Sequence, residues 1–228
     1  NLTFLKEKDD EPVLLRANFD NDETDFHLTI FAVRGSRTPV DWWLDVEMFV
    51  SSAMFTVARW IPFLQRQEGN ASKVVSKFMT LPLTLMAEAA YTYKYINMLT
   101  PEISTFLNKE ENKNRNILFT GHSLGGGLSK VLAHKFQFQS IAVSGPGISP
   151  IEDYVVGNDS NADKYFKSKL VDIVPDRDIV PRLETSGGTK YRVLCNQSVD
   201  ECHNKFRTVC QMGISCDDEY NIGDFCSR

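Results

Sequence analysis

The order of apolar and polar positions divides this chain into alternating strand-like and helix-like stretches. Short apolar runs stand near 27–34, at 116–120, and near 139–144, 169–174 and 190–195. Runs of that length predict buried strands. Between them, apolar residues recur at helical spacing near 41–60, through a long stretch near 73–110, and over 124–137. Pro82 and Pro101 fall within the 73–110 stretch and are expected to break or kink it. Strands alternating with helices predict an α/β fold, with a largely parallel sheet covered on both faces. No repeat, Pro/Ser-rich linker or long block of like charge interrupts the pattern, so a single domain over 1–228 is expected.

The junction between the 116–120 strand and the 124–137 helix carries the candidate chemistry. It reads Gly121-His122-Ser123-Leu124-Gly125, a G-x-S-x-G sequence set between strand and helix. In that context the pattern marks a nucleophile elbow, a turn sharp enough to raise a serine above the sheet. Glycines flank the serine because side chains there would collide with neighbouring backbone. The start of the helix aims N–H groups at the space above Ser123. The plain structural alternative is a glycine-rich turn with a bystander serine.

A serine hydroxyl is a weak nucleophile until a base takes its proton, and the base needs an orienting acid. Hydrolases with this elbow carry them in the order Ser, Asp or Glu, His. The chain has four histidines. His27 opens a predicted strand, His122 is locked in the elbow pointing away from Ser123, and His134 lies about three turns down the following helix. Only His203 comes late enough to be the base. For the acid, Asp-Ile-Val-Pro occurs twice, beginning at Asp172 and at Asp178. Asp172 sits in mid-strand and points at a sheet face. Asp178 follows the strand's end, where α/β sheets place their chemistry, and is preferred to Asp172 on that ground. Either aspartate could simply form a turn ahead of its proline.

Four segments together resemble the class 3 lipases, the fungal-lipase-like branch of the α/β-hydrolases. They are Ile30-Phe31-Ala32-Val33-Arg34-Gly35-Ser36, Asp41-Trp42-Trp43-Leu44-Asp45, Phe119 to Gly126, and Asp178-Ile179-Val180-Pro181-Arg182-Leu183. The resemblance runs from the first predicted strand to His203. It implies an α/β-hydrolase fold with a mostly parallel central sheet. It also implies Ser123 as nucleophile, Asp178 rather than Asp172 as acid, and His203 as base. The oxyanion hole it implies is made by the backbone N–H groups of Leu124 and Ser36, with the Ser36 hydroxyl as an added donor. Two stretches depart from the family pattern. Val74-Val75-Ser76-Lys77-Phe78 lacks the family's histidine and glycine, and Ala142 to Gly147 keeps its Gly-Pro step only loosely.

The expected reaction is carboxylic-ester hydrolysis through an acyl-enzyme on a lipid substrate of acylglycerol type, with no metal or organic cofactor. A feruloyl-type or phospholipid esterase on the same scaffold is the alternative. In another class stands a non-catalytic lipid-binding module. Residues 42–64 are rich in Trp, Phe and Met, interrupted by Asp45, Glu47 and Arg59. Those charges make the stretch a poor fit to a membrane span. The stretch suits either a core helix or a lid, near 37–64, that adsorbs to lipid surfaces.

Net charge is −5, and no basic patch interleaved with aromatics is present, which argues against a nucleic-acid partner. All five cysteines lie in the tail 195–228 without a C-x-x-C, which favours a disulfide clamp beside His203 over a zinc site. N-glycosylation sequons begin at Asn1, Asn70, Asn158 and Asn196. Together they point to secretion or a secretory-pathway lumen.

Overall fold

The computed structural model describes residues 2–6, 14–21, 23–35, 91–148, 168–182 and 188–215. Seven strands form one sheet in sequential order: β1 (Leu2–Lys6), β2 (Leu14–Asn21), β3 (Phe26–Val33), β4 (Asn116–His122), β5 (Gln139–Val143), β6 (Leu170–Pro175) and β7 (Thr189–Val193). β1, β2 and β3 pair antiparallel, and every step from β3 to β7 is parallel. The helices are α1 (Tyr91–Leu107), α2 (Leu124–Phe136), α3 (Val199–Cys202) and α4 (Lys205–Ser215) among the described residues.

The parallel strands, α2 and the β4–α2 junction stand where the sequence pattern predicts them. β1 and β2 are additions to that reading. β2, Leu-Leu-Arg-Ala-Asn-Phe-Asp-Asn, carries too many polar residues to register as an apolar run; of its positions only Leu14 is fully buried. An antiparallel strand with one wet side needs no continuous apolar run. The predicted helix near 41–60, the candidate lid 37–64, Pro82 and the departure at 74–78 lie outside the described residues.

Pro101 does not break α1, which runs from Tyr91 to Leu107 with the proline inside it. A helical proline forfeits the hydrogen bond to the carbonyl four residues earlier. Here both Pro101 and Asn97 are on the exposed side, where water can take that carbonyl. The buried side of α1, with Ile96, Leu99, Ile103 and Phe106, keeps its packing.

That packing joins α1 and α2 to one face of the sheet. Phe31 of β3 and Phe119 of β4 are register partners and stack at 5.3 Å. Phe106 of α1 meets Phe31 edge-on at 5.5 Å, and Phe136 of α2 stacks on Phe119 at 6.2 Å. Leu128, Val131 and Leu132 extend this core along α2. Aromatic contacts of this kind add to area burial and fix geometry. Coverage of both faces was expected; among the described residues α1 and α2 share one face. The result is a fixed seat for the end of β4 and the start of α2.

Candidate active site

The backbone at the β4–α2 junction is forced into an unusual shape. Ser123 has φ 57° and ψ −128°, a region that L-residues avoid unless their surroundings impose it. The surroundings do so by hydrogen bonds. Ser123 N–H donates to the Val143 carbonyl at 3.0 Å, and the Ser123 carbonyl accepts from Gly126 and Gly127 at 2.8 and 3.1 Å. Two glycines make the approach possible. A Cβ on Gly121 would strike the Gly125 carbonyl, and one on Gly125 would strike the Val33 carbonyl at the end of β3. The turn therefore sits against both neighbouring parallel strands. Ser144, at the end of β5, also holds a positive φ, 52°.

Asp178 lies in the turn after β6, just ahead of a 3₁₀ turn at Val180–Arg182. Its N–H donates to the Pro175 carbonyl at 3.1 Å, and its Oδ1 accepts from Val180 N–H at 3.0 Å. The carboxylate is fully buried, 0% exposed. The other oxygen, Oδ2, faces His203 Nδ1 at 2.9 Å.

His203 caps the C-terminus of the short helix α3. Its Nε2 lies 2.9 Å from Ser123 Oγ. The structure thus joins Ser123, His203 and Asp178 in one hydrogen-bonded line, although they are far apart in sequence. With Nδ1–H donated to the carboxylate, Nε2 is left as the acceptor for the serine proton. That is the tautomer a general base needs.

The segment carrying His203 is anchored at several points. A disulfide joins Cys195 to Cys202, whose Cα atoms are 5.9 Å apart, immediately before the histidine. Arg177, next to Asp178, donates to the carbonyls of Asn196 and Gln197 at 3.4 and 3.3 Å. The Asp176 N–H donates to the Val193 carbonyl at 2.9 Å. The expected disulfide clamp beside His203 is therefore present, and Cys210 is disulfide-bonded as well.

Leu124 opens α2, so its N–H belongs to the orphan donors of a helix start, next to Ser123. Ser36 lies outside the described residues. The chain reaches the elbow one residue earlier: a Cβ on Gly35 would lie 2.5 Å from the His122 carbonyl oxygen.

The first Asp-Ile-Val-Pro aspartate has a different task. Asp172 Oδ1 is 2.8 Å from Lys130 Nζ, and the two side chains are 2% and 0% exposed. The approach is close, though not aligned as a well-formed hydrogen bond. Burial pulls the Lys130 ammonium below the ordinary lysine range, while Asp172 acts against that. The pair ties α2 to β6 beneath the elbow. Sequence reasoning missed it; the one signal was a lysine placed among Leu128, Val131 and Leu132.

His122 is the second residue missed. Its Nε2 is 2.7 Å from the backbone carbonyl oxygen of His203, and the two rings lie 4.8 Å apart. Burial, and then the neighbouring His203, lower its pKa from 6.5 to about 4.

The model of the lipase (class 3) family matches residues 30–187. The chain belongs to the class 3 lipase family, and its fold is the α/β-hydrolase fold. Its general activity is therefore that of a lipase, an ester hydrolase. No curated protein matches the chain. The family match contains Ser123 and Asp178 but ends before His203, whose place in the site rests on geometry alone.

Proposed function

We propose that this protein hydrolyses carboxylic esters of lipids through an acyl-enzyme, with Ser123 as nucleophile, His203 as base and Asp178 as orienting acid. The observation that carries the reading is the pair of 2.9 Å contacts, Ser123 Oγ to His203 Nε2 and His203 Nδ1 to Asp178 Oδ2. Ser123 Oγ attacks the ester carbonyl as Nε2 takes its proton. Asp178, buried beside Nδ1, holds the imidazole and stabilises the imidazolium. The Leu124 N–H, with that of Ser36, receives the developing oxyanion; losing one such donor costs on the order of 3 kcal/mol of barrier. His203 then returns the proton to the leaving alcohol. Water repeats the attack with the same base and frees the acid.

An acylglycerol at a lipid–water interface is the substrate that best suits the apolar stretch 42–64. That stretch acts as a lid near 37–64 which moves aside at the interface. Among the described residues no helix is long and apolar enough to cross a membrane. The Cys195–Cys202 disulfide supports an oxidising, secretory-pathway or extracellular setting. Expression through a eukaryotic secretory route, followed by a glycosidase mobility shift, tests that placement.

The function itself is tested by hydrolysis of a medium-chain acylglycerol across its critical micelle concentration. A rate that jumps above that concentration, and is lost in Ser123→Ala, is expected. A flat curve removes the lid; full activity in Ser123→Ala removes the serine mechanism.

A further inference from the structure

We propose that His122, the residue preceding the nucleophile, is a positioning residue for the base: its Nε2–H holds the backbone carbonyl of His203 and so fixes the imidazole over Ser123. This inference rests on the acyl-enzyme reading.

The geometry is specific. A carbonyl oxygen only accepts, so at 2.7 Å the His122 Nε2 must carry the proton and donate it. The two histidines also face each other ring to ring, with centroids 4.8 Å apart and planes inclined at 46°. His203 therefore meets the elbow at two points. One is its Nε2 against Ser123 Oγ, and the other is its own carbonyl against His122. Two attachments on adjacent residues of one rigid turn define an orientation that a single hydrogen bond cannot.

His203 needs such help. It ends a helix of only four residues, Val199–Cys202, too short to be stable by itself. Its side chain is 27% exposed, so close packing does not hold it on every side. Asp178 and the Cys195–Cys202 disulfide restrain it from the sheet end and from the preceding residue. His122 restrains it from the nucleophile's side. The elbow backbone, set by Ser123 N–H on the Val143 carbonyl, is a firm base for that restraint.

A histidine suits this task only while it stays neutral. During attack His203 becomes an imidazolium, and a second cation at 4.8 Å would oppose it. The charged groups facing His122 are His203 and Lys205, which disfavour its protonation, and Asp178, which favours it. Burial is the largest influence and keeps the ring neutral through the working range of the base.

The test compares His122→Phe, which keeps a ring and removes the donor, with His122→Gln, whose amide N–H reaches about as far as Nε2. Ester hydrolysis is measured over a pH series, with the low-field NMR signal of His203 Nδ1–H as the signature of its orientation. The expected result is a roughly tenfold to hundredfold fall in kcat for His122→Phe. KM is unchanged, the Nδ1–H signal broadens, and His122→Gln recovers most of both. A folded His122→Phe with wild-type kcat and an unchanged signal overturns the inference, as does a His122→Gln that falls equally far. Should His122→Phe not fold, nitrogen shifts of the wild-type ring decide: a neutral Nε2–H tautomer supports the inference, and an Nδ1–H tautomer or an imidazolium at neutral pH overturns it. Ser123→Ala separates the two readings. If it keeps activity, the acyl-enzyme account itself fails; if it is inactive while His122→Phe is normal, only the role of His122 fails.

Discussion

Asp172 and Asp178 open identical tetrapeptides on either side of the end of one strand, yet the structure gives them opposite surroundings. Asp172 is inside β6, its side chain turned into the sheet–helix layer against Lys130. Asp178 is in the turn beyond β6, its carboxylate aimed across the top of the sheet at His203. Both are buried and both have a cationic or potentially cationic partner. The difference is what each partner can do. Lys130 is sealed in and can only balance charge. His203 is partly open and in reach of the Ser123 hydroxyl. A strand interior makes an aspartate structural; the strand's carboxyl end makes it available for chemistry.

Neutralising each aspartate in turn should separate the two roles. Asp178→Asn should keep the fold and lower kcat by about 10⁴, because the amide favours the wrong tautomer of His203. A drop smaller than tenfold in steady-state hydrolysis would remove Asp178 from the proposed role. Asp172→Leu should do the reverse. It leaves Lys130 buried and unpaired, at a cost of about 3–5 kcal/mol in denaturant unfolding, while the protein that remains folded keeps its kcat. The double variant Lys130→Met with Asp172→Leu should recover most of that loss, since an apolar pair of similar volume needs no compensation. Failure of the double variant to recover would mean that the ion pair is more than balanced charge.

His122 gives the side of the sheet that carries His203 a pH dependence of its own. Its folded pKa of about 4 lies below the unfolded value of 6.5, so the unfolded chain binds the extra proton first. Stability contributed here is present above pH 6.5 and is lost as pH falls from there towards 4, by at most about 3 kcal/mol. His122→Gln should flatten that part of the stability curve. Urea midpoints at several pH values check it, and an unchanged slope would contradict it.

The disulfide clamp contributes less. Opening the Cys195–Cys202 loop with paired serine substitutions should cost about 2–3 kcal/mol by chain entropy. Because the clamp ends at the residue before His203, kcat should fall as well, whereas the Lys130–Asp172 region should be undisturbed. Thermal unfolding and hydrolysis measured on one sample would show whether the two sides separate in this way.

Much of the site was legible because its signals are local. Ser123 is flanked by a strand, a helix and glycines, each of which constrains the same turn. Asp178 is distinguished from Asp172 by the strand's end, which the apolar run at 169–174 marks. His203 followed from chain order among few histidines. What was not legible depends on partners distant in sequence. Lys130 looks like a misplaced charge until β6 brings Asp172 against it. The His122 contact joins residues separated by 81 positions, and no spacing rule reports it. β2 escaped because an antiparallel strand with a polar side gives no continuous apolar run. Pro101 misled because the cost of a helical proline depends on which side of the helix loses the bond.

The proposed reaction requires that Ser123 be a nucleophile activated through His203. The most direct measurement is covalent labelling by a fluorophosphonate ester, with peptide mass spectrometry to locate the adduct. The account predicts a single adduct on Ser123, formed quickly in the wild type and slowed at least a thousandfold in His203→Ala. An unlabelled Ser123 in folded protein, or labelling that proceeds equally well without His203, would contradict it.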